Sequence, residues 1–149
     1  MASGQNTNSK YRQIARKFME EIIGQGKTDQ VEQVVDSNFV LHDPTWPHDV
    51  HGPEGLKEFV AELRGAFPDL QQTVDQLVVE GDLVACRWTA TGTHRGELFE
   101  IPPTGKEVCM GGMDILRLAN NRIVEDWSYW DALGLLQQVG AITEPEEAS

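Results

Sequence analysis

The order of elements legible in the chain predicts an α+β fold, a strongly curved, mainly antiparallel sheet with helices on one side. Two observations carry that expectation. Up to Phe67 the apolar residues recur mostly at helical spacing, broken by one strand-like run, whereas from Gln72 onward the period becomes two and four strand-like runs follow one another. Short turn signals separate those four runs, as consecutive antiparallel strands require.

Residues 1–8 read as a flexible polar tail, followed by a single domain over 9–142 and an acidic tail over 143–149. Ile14, Phe18, Met19, Ile22 and Ile23 fall on one helical face that ends at Gly24-Gln25-Gly26. Thr28 is placed to cap a second, short helix through Val31, Val34 and Val35. Asn38 to Asp43 reads as a strand stopped by Pro44 and Pro47. Gly52-Pro53-Glu54 opens a third helix whose face is Leu56, Phe59, Val60, Leu63 and Phe67, with Pro68 ending it. Strands are expected over Gln72–Glu80, Asp82–His94, Lys106–Leu118 and Arg122–Asp131, and a short last helix over Ala132–Val139.

The chain has 149 residues, one ordinary domain, and carries 12 Lys+Arg against 24 Asp+Glu for a net charge of −12. That balance argues against a nucleic-acid partner, which needs clustered basic groups, and against an anionic membrane surface. The N-terminus lacks the apolar stretch of a signal peptide, and Cys86 and Cys109 both fall in apolar runs. The expectation is a soluble cytoplasmic protein with two reduced, mostly buried thiols.

Alternation defines an inner face before any comparison is made. Val84, Cys86, Trp88 and Ala90 share one face of their strand, and Val108, Met110, Gly112, Asp114, Leu116 and Leu118 share one face of the next. Asp114 therefore sits among apolar neighbours, where a carboxyl either finds donors or stays protonated. Phe39, Leu41 and Asp43 point inward in the same way. On the last strand Asp126, Ser128 and Trp130 share a face, with Asp126 about 7 Å along the strand from Ser128. Asp131 is placed to cap the terminal helix. His42, Trp46, His48 and His51 lie on a loop read as a pocket rim, with Trp46 as its lid. The histidine spacing fits no strong metal motif, and no metal is assigned.

Several segments together resemble the SnoaL-like polyketide and ester cyclases of the nuclear transport factor 2-like superfamily: Gly52-Pro53-Glu54-Gly55-Leu56-Lys57-Glu58-Phe59, Phe67-Pro68-Asp69-Leu70, Arg87 to Gly96, Ile101-Pro102-Pro103-Thr104-Gly105-Lys106 and Leu133 to Gly140. The likeness spans roughly residues 10–142. It implies a cone-shaped α+β barrel in which about three helices cover a deep pocket and a short C-terminal helix follows. It also implies chemistry without a metal or organic cofactor, a small apolar ligand, and homodimers paired through the outer sheet face.

The resemblance gives the candidate residues roles. Asp114 stands where the isomerases of this superfamily carry a protonated Asp in their oxyanion hole, an arrangement the ketosteroid isomerases exemplify. The alternative is a structural Asp bonded to a neighbouring strand. Asp43, in His42-Asp43-Pro44, resembles the isomerases' general base, and Asp-Pro is equally a common turn starter. The cyclases have their catalytic Asp where this chain has Ser128 and their partner His where it has Asp114. Asp126, two residues away on the same face, is placed to take over. Phe18 stands where the isomerases have a catalytic Tyr, with Met19 as the one-residue shift.

The catalytic candidates are thus Asp43, Asp114 and Asp126, and the substrate-binding candidates Phe18, His42, Trp46, Trp88, Met110, Ser128 and Trp130. The expected function is a cofactor-independent acid–base enzyme acting on a small, largely apolar carbonyl compound or cyclic ester. A non-catalytic ligand-binding protein is the alternative, and an epoxide hydrolase with a rearranged acid–base set the third reading.

Overall fold

A computed structural model describes residues 2–143, with side chains from residue 6 onward, so the expected acidic tail lies outside the described residues from position 144. The first helix, α1 (Ala2–Arg16), runs into a wider π-helical segment, Lys17–Ile23. The stretch expected as a polar tail is helical from Ala2. No proline interrupts it, and helical bonding propagates outward from the segment anchored by buried Ala15, Phe18 and Met19. The wide turn, in which the Gly24 N–H reaches the carbonyl of Met19, brings both Phe18 and Met19 inside.

A short 3₁₀ turn, Thr28–Gln30, leads into α2 (Val31–Val34). Thr28 lies within that turn instead of capping the helix, and Val35 already belongs to the next strand, because its extended backbone (φ −113°, ψ 150°) ends α2. The rest of the chain forms β1 (Val35–His42), β2 (Val50–His51), α3 (Gly52–Ala66), β3 (Gln71–Glu80), β4 (Leu83–Thr93), β5 (Glu107–Ala119), β6 (Arg122–Trp130) and α4 (Ala132–Gln138). Asp131 caps α4, accepting the Gly134 N–H at 2.8 Å.

The six strands form one sheet in the order β2-β1-β6-β5-β4-β3. Every pairing is antiparallel except β1 with β6, which lie parallel with Leu41 beside Asp126. Register shifts between Val74 and Gln76, between Arg117 and Leu118, and between Val35 and Val40 put extra residues into one strand of each pair. Such bulges sharpen the twist and curl the sheet around its inner face.

The concave side is filled by Phe18, Phe39, Leu41, Leu116 and Ile123, and the helices close over it. Cys86 is buried, whereas Cys109 is exposed. The pleat explains the difference from expectation: Cys109 alternates with buried Val108 and Met110 and so faces outward. Its backbone is bracketed by Gln138, which donates to the Cys109 carbonyl at 2.9 Å and accepts its N–H at 2.8 Å, docking the end of α4 on β5.

Further polar groups hold the helices to the sheet. Gln72 Nε2 donates to the Met19 carbonyl at 3.0 Å in the interior. Arg64, near the end of α3, donates to the carbonyls of Gly24 (3.0 Å), Leu70 (3.1 Å) and Pro68 (3.2 Å), joining the first helix, its own helix and the start of β3. Arg64→Met keeps much of the stem and removes the donors. It is expected to lower stability by about 2 kcal/mol, since several partly buried carbonyls lose a charged donor, as read from urea unfolding.

Candidate functional site

Strand register assembles the site. Asp114 on β5 lies directly opposite Cys86 on β4 and Ser128 on β6, and Asp126 lies opposite Leu116. Asp126 is therefore the diagonal neighbour of Asp114 on the same concave face, within reach for two carboxyls. Both are buried, at 3% and 0% exposure.

Asp114 Oδ1 accepts Trp88 Nε1 at 2.8 Å and Ser128 Oγ at 3.1 Å. The indole can lie across the neighbouring strand because position 112 is glycine: a Cβ there would collide with the Trp88 ring and come within 2.8 Å of the Trp130 Cβ. Asp43 is held differently. Its Oδ1 accepts the Thr45 N–H (2.9 Å) and Thr45 Oγ1 (2.7 Å), and its Oδ2 accepts Trp130 Nε1 (3.2 Å). The Asp-Pro-Thr sequence at the end of β1 folds back on itself as an Asx-type turn, leaving the carboxylate at the cavity mouth. Neither Asp126 oxygen has a hydrogen-bond partner among the described residues.

These carboxyls line one cavity of about 60 Å³, together with Trp46, Trp88, Met110, Ser128 and Trp130. Met19, Leu41, Gln72, Leu98 and Phe99 complete much of its wall. The mouth is closed by aromatic rings. Trp46 meets Phe59 edge-on at 4.9 Å and Phe99 at 6.3 Å, and Phe99 stacks over Trp130 at 6.3 Å.

Two candidates lie elsewhere. Phe18 packs edge-on against Phe39 at 6.0 Å in the core, and the π-helical turn gives its neighbour Met19 the place on the cavity wall. His42 faces the outside of the sheet, because alternation along β1 sends Leu41 inward. There it bridges Glu125 (Nε2, 2.7 Å) and Asp49 (Nδ1, 3.1 Å) and stacks on Trp127. The Glu125 carboxylate, reinforced by Asp49, holds the His42 pKa above its ordinary value.

The sequence reading missed Leu98 and Phe99. They sit on a tight hairpin closed by reciprocal backbone bonds between Leu98 and Ile101 (3.2 and 2.8 Å), and no periodicity marks such a turn. Thr45 had a signal in its Asp-Pro-Thr context.

Burial pushes Asp114 upward, opposed by the Trp88 and Ser128 donors. Asp126 is raised further, first by burial and then by the Asp114 charge, with a smaller push from Asp43. Burial and the two carboxylates push the Cys86 thiol up to about 12, which removes it as a nucleophile. The arrangement can therefore hold a neutral acid beside an anion in a largely apolar space, with a third carboxyl at the entrance.

The family model for SnoaL-like polyketide cyclases matches residues 13–139. The chain belongs to the SnoaL-like polyketide cyclase family. Nogalonic acid methyl ester cyclase of Streptomyces nogalater is 26% identical over 117 residues, covering 77% of this chain and 87% of that one. Among solved structures, TsrD from Streptomyces laurentii superposes with a TM-score of 0.80 at 26% identity, covering 90% of this chain and 97% of its own. IdmH from Streptomyces antibioticus gives 0.72 at 31% identity, covering 85% and 95%.

An acid whose folded pKa lies above its ordinary value of 3.8 binds more protons in the folded state, so its burial destabilises the protein increasingly as pH rises through that interval. Asp126→Asn is expected to raise stability at neutral pH by on the order of 1–2 kcal/mol. It should also flatten the decline of stability above about pH 4. Thermal unfolding across a pH series measures both.

Proposed function

We propose that the protein is a cofactor-independent acid–base enzyme that removes a proton next to a carbonyl of a small, largely apolar ketone or ester, leading to isomerisation or aldol-type ring closure. The observation that carries this reading is the Asp126 carboxyl, fully buried beside Asp114 with no partner of its own. Such a group is destabilising and bonds to no neighbour among the described residues, which favours a functional role.

Asp43, held by Thr45 and Trp130 at the mouth, is the base that takes the proton from carbon. The Asp114/Asp126 pair supplies the hydrogen-bond donor to the oxygen that becomes negative. In isomerisation the proton on Asp43 returns to another carbon. In ring closure the enolate carbon attacks a second carbonyl of the same molecule, the pair protonates the new alkoxide, and Asp43 returns its proton through water. The methyl ester named for the Streptomyces nogalater relative is the first substrate to try.

A second reading, an apolar-ligand carrier without turnover, is favoured by Ser128 standing where the resemblance places a catalytic Asp. The two readings part on mutation. For the enzyme, Asp43→Asn and Asp114→Asn should each lower the rate of α-proton exchange into D₂O, or of ring closure, by roughly 10²–10⁴-fold. Unchanged ligand affinity with no wild-type turnover overturns the enzyme in favour of the carrier.

The outer face of the sheet is proposed to receive a second copy of the chain. Val78, Ala85, Ile115 and Trp127 are aligned across four strands, with Met113 beside Tyr129 in the adjacent row. Ile115, Met113 and Tyr129 are 45%, 53% and 65% exposed, a contiguous apolar strip of the kind that marks an interface. Light scattering should give twice the chain mass for the wild type and the single-chain mass for Ile115→Glu. A monomeric wild type overturns the pairing.

A further inference from the structure

His94, which follows β4, is buried at 1% exposure and takes no part in the acid–base chemistry above. Its Nδ1 accepts the Thr104 backbone N–H at 3.3 Å and lies 3.0 Å from Thr104 Oγ1. An imidazole nitrogen that accepts a backbone N–H carries no proton, so the ring proton resides on Nε2. That Nε2 has no partner.

The ring lines a second hollow of about 10 Å³ whose other walls are the apolar side chains of Phe67, Leu98, Phe99, Ile101 and α4. A buried water needs at least about 10–15 Å³ and two to four polar partners, and here there is one donor among apolar walls. Water is therefore a poor occupant. The hollow shares Phe67, Leu98 and Phe99 with the main cavity, so these three side chains form the partition between the two spaces. The partition stands on strained backbone: Phe99 and Glu100 both have positive φ, 51° and 63°, consecutive left-handed residues with no glycine. Phe99 is 37% exposed, so its ring can leave the partition without unpacking the core.

We propose that His94 is a specificity-determining residue: when the Phe99 side chain moves aside, the hollow becomes an arm of the main cavity, and the His94 Nε2–H donates to an uncharged oxygen at the end of the substrate remote from the carboxyls. A ketone, ester or ether oxygen fits. A carboxylate does not, because the arm offers no cation among its lining residues. The inference rests on the reading of the main cavity as the site for a largely apolar carbonyl compound and adds to it what lies at the far end.

The test pairs two probes of like shape, methyl anthraquinone-2-carboxylate and 2-ethylanthraquinone, which differ in the ester oxygens. The wild type should bind the ester about tenfold more tightly, the scale of one buried neutral hydrogen bond. His94→Leu should abolish that preference while leaving 2-ethylanthraquinone affinity unchanged. Should His94→Leu fold poorly through loss of the Thr104 bonds, the wild type still decides. In ¹⁵N-labelled protein the His94 Nε2–H resonance should shift with the ester and stay fixed with the ethyl compound. Equal affinities with an unmoved Nε2–H signal overturn the role of His94 and leave the acid–base reading standing. Binding of neither probe removes the apolar-cavity reading and this inference with it.

Discussion

A pair of carboxyls buried in an apolar cone is the constraint on which the rest of the structure turns. An isolated anion cannot be kept in such a space without donors, and a neutral acid there forfeits its hydrogen bonds to water. Asp114 is made tolerable by Trp88 and Ser128, and Trp88 reaches it only because Gly112 leaves the neighbouring strand bare. Asp126 receives no such help. Its destabilisation is carried by the packed core on either side, Leu41 and Leu116 being its strand partners and both almost fully buried.

The three carboxyls form a graded series. Asp43 has three bonded donors, Asp114 has two, and Asp126 has none. The two deepest, Asp114 and Asp126, are both raised by burial and titrate as a pair. A carboxyl at position 126 has different neighbours from one at 128. At 128 it would lie directly opposite Asp114, whereas at 126 it is diagonal and lies beside Leu41 of β1. The Ser128 hydroxyl serves Asp114 as a donor.

Alternation was enough to place Asp114, Asp126, Ser128 and Trp88 on the concave face, because those strands are long and half-buried, and a period of two admits no other assignment once one side is apolar. It was equally enough to send His42 outward, which a loop-based reading of that residue as pocket rim obscured. What escaped the sequence depends on contacts with no local signature. The π-helical turn that exchanges Phe18 for Met19 is one such case, and the left-handed pair Phe99-Glu100 is another, since neither residue type advertises that conformation. The two-residue β2 was invisible for the same reason: its pairing with β1 is made by tertiary approach, not by its own composition.

The size of the cavity bears on how the site operates. About 60 Å³ holds a few water molecules and no aromatic ester, so the closed arrangement is not the one that admits substrate. Closure is made by ring contacts among Trp46, Phe59, Phe99 and Trp130, each offset or edge-on and worth on the order of 1 kcal/mol. Two of these rings hang from turns, Trp46 after Asp43-Pro44-Thr45 and Phe99 on its strained hairpin, while Trp130 is fixed to β6 and to Asp43. Opening can therefore proceed by moving Trp46 and Phe99 while Trp130 keeps the Asp43 carboxylate in place. On the proposed acid–base reading, Asp43 would stay oriented as the lid exchanges water for a ligand, and reclosure would remove the water that weakens polar interactions inside the cavity.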